Sequence, residues 1–103
     1  MKLVVVTALK ENSEVVQSIF QQANIKIFSA TDTQGVKNSS PSNLLDSWFS
    51  GNNPAIFDSV FLFSFTTIAQ AKKTIELIDQ YNENESSEYP IRAFVMPVEY
   101  SSK

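Results

Sequence analysis

The side chains that could do chemistry in this sequence are few, and the usual ones are missing. There is no histidine and no cysteine, which removes the commonest general acid/base and the ordinary ligands of zinc, copper and iron. The carboxylates Asp32, Asp46, Asp58 and Glu99 are scattered, with no spacing that marks a catalytic pair. Phosphoryl or acyl-phosphate chemistry needs an anion cradle, and the single arginine, Arg92, has no glycine-rich loop beside it. These absences predict no catalytic residue, no metal site and no enzyme, although hard cations could still use Asp and Glu. Recognition has a better candidate in SNLLDSWFSG, Ser42 to Gly51. Ser42 suits an N-cap, Leu44, Leu45, Trp48 and Phe49 share one helical face, and Gly51 can close the turn in the left-handed region. Two roles are open to this short helix, which carries the only tryptophan. It could insert Trp48 into a groove on a partner, or fold back and seal a cleft of its own assembly.

Those residues must be held by a small body. At 103 residues the chain is read as a single domain, 1–103, with one modest core, and 43% hydrophobic residues fit a globular class. A net charge of −3, without a Lys/Arg stripe, gives no pull toward phosphate backbones or anionic lipid. Nucleic acid and direct membrane insertion are therefore not expected. The N-terminal apolar run is too short for a signal sequence and meets charge at Lys10 and Glu11, and absent cysteines fit a reducing compartment. The expected location is cytoplasmic.

Hydrophobic periodicity predicts the elements. Residues 2–9, KLVVVTAL, are β-branched and apolar throughout and read as a strand covered on both faces. After Asn12 or Ser13, Val15, Val16, Ile19, Phe20 and Ala23 fall on one helical face. Asn24 to Val36 reads as a second strand ending near Gly35. In the stretch 57–65, Phe57, Phe61, Phe63 and Phe65 oppose Val60 and Leu62. Thr67 and Gln70 form a capping box before a helix marked by Ile68, Ala71, Ile75 and Ile78 and running to about Tyr81. Asn82 to Pro90 is a polar connector, and IRAFVMPVEY holds the last strand, with Ala93 and Val95 opposing Phe94 and Met96.

The order β-α-β-β-α-β is the ferredoxin-like α+β arrangement: a four-stranded antiparallel sheet, in order 4-1-3-2, with both helices on one face. Strands apolar on both sides leave the second sheet face in need of a cover, which predicts an oligomer interface there, with Val60 and Leu62 as its inward positions.

Three stretches together resemble the PII signalling family. ANIKIFSATDTQGVK, Ala23 to Lys37, is similar to its second strand and the glycine at the base of its long T-loop. IRAFVMPVE is similar to its last strand, and residues 37–56 fall where the T-loop lies. The resemblance implies a homotrimer with its sheets turned inward, and a non-enzymatic regulatory role through a partner bound by the loop, such as a membrane transporter. It also implies adenine-nucleotide binding between subunits, with Gly35, Lys37 and Arg92 as the surviving ligand-binding positions. The sequence departs from that pattern. Its connector, NENESSEYPI, has no glycine and carries Glu83, Glu85 and Glu88, which hinder close backbone approach and repel an anion. The arginines that follow the family's last strand have no counterpart before Lys103. Nor does the loop offer a tyrosine for modification, since Tyr81, Tyr89 and Tyr100 lie elsewhere. The expectation is thus a regulator that binds a protein partner without typical ATP binding and without a cofactor. The alternatives are a sensor of adenine nucleotide or another anion in intersubunit clefts, and a CutA-like cation-tolerance protein.

Overall fold

The computed structural model describes residues 1–36, 56–86 and 89–102. Strand β1 (Lys2–Leu9) passes through a single 3-10 turn (Lys10–Asn12) into helix α1 (Ser13–Gln22). Strands β2 (Ser29–Val36) and β3 (Ile56–Thr66) follow, then helix α2 (Ile68–Glu85) and strand β4 (Arg92–Pro97). The four strands form one antiparallel sheet in the order β2-β3-β1-β4, the expected order read from its other edge. This is the ferredoxin-like α+β fold.

The helices cover one face. Val4, Val6 and Ala8 of β1, with Val60 and Leu62 of β3, project from it and pack with Val16, Ile19 and Phe20 of α1 and Ala71 and Ile78 of α2. Val60 and Leu62 are therefore core residues of the subunit, not inward positions of an interface. The pairing explains why: Leu62 lies opposite Val6 and Val60 opposite Ala8, so they share the helix side, and the phenylalanines at odd positions take the other.

Two boundaries differ from the periodicity reading. Strand β2 starts at Ser29 rather than Asn24, because α1 ends in a Schellman motif. Asn24 takes the left-handed conformation (φ 64°) and donates to the Gln21 carbonyl at 3.0 Å, while Ile25 donates to Phe20 at 2.8 Å. That turn tucks Ile25 into the core instead of extending it along the sheet. Helix α2 runs four residues past Tyr81, to Glu85. Its last turn is solvated, so periodicity fades before the helix does, and Ser86 in the left-handed region (φ 48°) ends it with its N–H on the Asn82 carbonyl. The capping box at Thr67 and Gln70 forms as expected, but the buried stripe of α2 is Ala71, Thr74 and Ile78, with Ile68 exposed. Thr74 is admitted to the core because its hydroxyl donates to the Gln70 carbonyl at 2.9 Å.

Candidate functional site

Among the described residues nothing covers the sheet face away from the helices, and that face is largely apolar. Its rows follow from the register. Phe65, Leu3 and Met96 cross β3, β1 and β4 at one end, and Phe63, Val5 and Phe94 form the next row. Phe61, Thr7 and Arg92 form the third, with Ser59 and Leu9 beyond it. Along β3 the rings form a ladder, with centroids 5.8 Å apart from Phe61 to Phe63 and 6.5 Å from Phe63 to Phe65. The apolar end is the most exposed: Phe65 is 58% and Met96 40% accessible. Nearby, Ile27 is 85% accessible, and its carbonyl accepts the Ser64 hydroxyl at 2.6 Å. The sequence located the phenylalanine row but not Leu3, Val5 or Ile27. A β1 run apolar at nearly every position has no visible parity, so only strand pairing assigns its faces.

Gly35 is buried on β2 opposite Phe57, and a Cβ there would run into the Phe57 ring. Close packing accounts for this glycine, since its φ is not positive. Arg92 heads β4, half-buried on the open face opposite Thr7. The two positions lie on opposite edges of the sheet, roughly 14 Å apart at three strand spacings, so a single subunit does not bring them together. Lys37, Leu44, Leu45, Trp48 and Phe49 lie outside the described residues, as does Asp46.

A shallow hollow of about 410 Å³ lies between α1 and α2, and another of about 360 Å³, beside β2, holds Lys10, Asp32 and Asp58. Asp32 pairs with Lys10 at 3.1 Å, both well exposed. Asp58 lies diagonally across from Asp32 on the neighbouring strand, a proximity hidden by their separation in sequence. Among the described residues no three acidic side chains converge as metal ligands would. No described helix is long and apolar enough to cross a membrane.

The connector before β4 is held by α2. Asn82 accepts the Ile91 N–H at 3.0 Å and donates to the Ile91 carbonyl at 2.8 Å, so its amide reproduces one rung of a ladder. The backbone donor next to Arg92 is thereby committed to a side chain.

Neither a protein-family model nor a curated protein matches this sequence. Solved structures do. CPII, a nitrogen regulatory PII-like protein from Thiomonas intermedia bound to ADP, AMP and bicarbonate, aligns with a TM-score of 0.67 at 9% identity. The alignment covers 99% of this chain and 93% of that one. A protein from Thermus thermophilus classed as PII-like signalling aligns with a TM-score of 0.63 at 14% identity, over 92% of this chain and 83% of that one. With its strand order, its two helices on one face and near-complete coverage by these structures, the chain has the PII-like fold.

Proposed function

We propose that this chain is a non-enzymatic, cytoplasmic regulator of the PII-like kind, a homotrimer assembled through the open sheet face. It acts by binding a regulated protein, such as a membrane transporter, through residues 37–56, with Leu44, Leu45, Trp48 and Phe49 as the contacts. The observation that carries the reading is the open face itself. Phe61, Phe63, Phe65, Leu3, Phe94 and Met96 form a contiguous apolar surface of a kind that soluble monomers rarely leave uncovered. The fold's likeness to two PII-like signalling proteins supports a regulatory role. Light scattering at micromolar concentration tests the assembly, with a trimer mass expected; a monomer removes the basis of the reading. For the loop, Trp48→Ala is expected to abolish capture of the partner and leave the trimer and its melting temperature unchanged, as for a hot-spot tryptophan. A lowered melting temperature with unchanged capture assigns Trp48 to sealing the assembly instead.

The second reading is an anion sensor with its ligand between subunits, using Gly35, Lys37 and Arg92. Its support is the position of Arg92 on the open face, at the head of an edge strand, where a neighbouring copy would meet it. Against it stand the acidic, glycine-free connector and the Ile91 N–H already used by Asn82. Calorimetry with ATP, ADP and AMP is expected to show far weaker binding than a nucleotide sensor needs, or none.

A further inference from the structure

Among the described residues, the hollow between α1 and α2 is lined by the two helices alone. Val15 and Ile19 of α1 and Leu77 and Tyr81 of α2 supply its apolar part, and the exposed polar residues Ser18, Gln22 and Gln80 surround them. Val15, Leu77 and Tyr81 pack against the core but are only partly buried, so they leave apolar surface open to solvent. Small ligands bind where a pocket covers most of their surface, and a shallow hollow does not supply that cover. A side chain carried by another protein brings its own.

The charge around this hollow is one-sided. Glu14 is in its lining, and no Lys or Arg is. Asn84 brings the last turn of α2 to the same hollow, and that turn holds Glu83 and Glu85 with no basic residue. The cations of α2, Lys72 and Lys73, stand earlier, ahead of Leu77. A helix ends on unpaired carbonyls, the negative pole of its macrodipole, where acids cost stability and bases add it. Glu14 suits the start of α1, whereas Glu83 and Glu85 oppose the end of α2. Among the described residues none of these three carboxylates is in an ion pair. Local choices that work against their own element are expected where a function is served instead of stability.

We propose that the hollow docks a basic amphipathic helix of a partner protein, which seats an apolar side chain on Val15, Leu77 and Tyr81 and sets Lys or Arg against Glu14, Glu83 and Glu85. Charge complementarity selects this occupant. Nucleic acid and anionic lipid are repelled by the same carboxylates, and a second copy of the chain, at net charge −3, is a poorer match than a basic partner. An apolar anchor in a groove between helices, flanked by charges of opposite sign, is an ordinary mode of helix recognition. The surface is separate from residues 37–56 and from the open sheet face, so it stands or falls apart from the roles given to them.

The probe is a fluorescein-labelled helical peptide of Leu and Lys, with leucines at i, i+3, i+4 and i+7, read by fluorescence polarisation. The full chain is expected to bind it at micromolar concentration, more weakly as salt rises, and not to bind the same peptide with Glu in place of Lys. Gln80→Trp, which fills the hollow from an exposed position, is expected to weaken binding about tenfold or more. Glu83→Lys with Glu85→Lys should weaken it about as much while raising the melting temperature, because the end of α2 gains charges that suit its dipole. Weaker binding by a more stable protein is a pairing that partial unfolding does not produce. Equal binding by the wild type and Gln80→Trp would place the peptide elsewhere and overturn the proposal. Equal binding of the Glu peptide, or no binding of the Lys peptide at millimolar concentration, would do the same. A doubly substituted α2 that melts higher and binds unchanged would remove the charge complementarity, and the proposal with it.

Discussion

Gly35 shows how a residue that reads as functional can have a local physical cause. Its backbone does not need glycine, but its cross-strand partner does: the Phe57 ring lies where a Cβ would be. Gly35→Ala is therefore expected to cost about 1–2 kcal/mol, as for overpacking at a filled site. In a Phe57→Ala background the same change should be neutral or stabilising, because alanine suits a strand interior better than glycine. Urea denaturation of the four variants measures that change of sign. An equal penalty in both backgrounds would mean that the ring is not the cause. Asn82 makes a comparable case. Its amide satisfies both backbone groups of the buried Ile91, so Asn82→Ala is expected to destabilise by about 1–3 kcal/mol. Asn82→Asp, which keeps one acceptor and loses the donor, should fall between, and thermal melts would rank the three. No sequence pattern marks either role, since both depend on what the chain brings back from another strand.

At the scale of elements, what could be read was whatever local chemistry writes directly. Strand β1 at 2–9 and the Thr67 capping box were legible to the residue, because an uninterrupted β-branched run and a T-x-x-Q signature need no tertiary information. The start of β2 was not. NIKIF has strand composition, yet Asn24 is the left-handed residue of a helix stop, and the core position of Ile25 decides the outcome. The end of α2 was missed for the opposite reason: hydrophobic periodicity reports which turns are buried, and the last turn of α2 is not. If Asn24 acts through its φ, Asn24→Gly should preserve stability, whereas Asn24→Ala should cost about 1 kcal/mol for placing an ordinary side chain in the left-handed region. Thr67→Ala should cost a similar amount by removing the acceptor for the Gln70 N–H, 3.2 Å away. Both changes are read in chemical melts, with the 3-10 turn and α1 start, which have no side-chain cap, as a region where such substitutions should matter less.

The whole molecule is where sequence parity reached its limit. That β3 is apolar on both sides was visible, and so was the need for a cover on each. Which row faces the helices was not, because the period of a strand is the same viewed from either side. The register resolves it, and with it the expected response to charge. Leu62 is fully buried beneath the helices, so Leu62→Asp leaves an unpaired carboxylate in the subunit core and should cost several kcal/mol and unfold the protein. Phe65 is more than half exposed in the subunit, so Phe65→Asp loses little within it. If that face is buried between copies, however, the same change places like charges in a shared apolar interface, where they repel and lack water. The expected outcome is a folded monomer: circular dichroism unchanged, and light scattering shifted from trimer to single-chain mass. Met96→Asp, on the same row through Leu3, should behave alike. A Phe65→Asp protein that remains fully trimeric would place the interface elsewhere on the molecule, whereas one that unfolds would show that the phenylalanine ladder, not an assembly, holds that end of the sheet together.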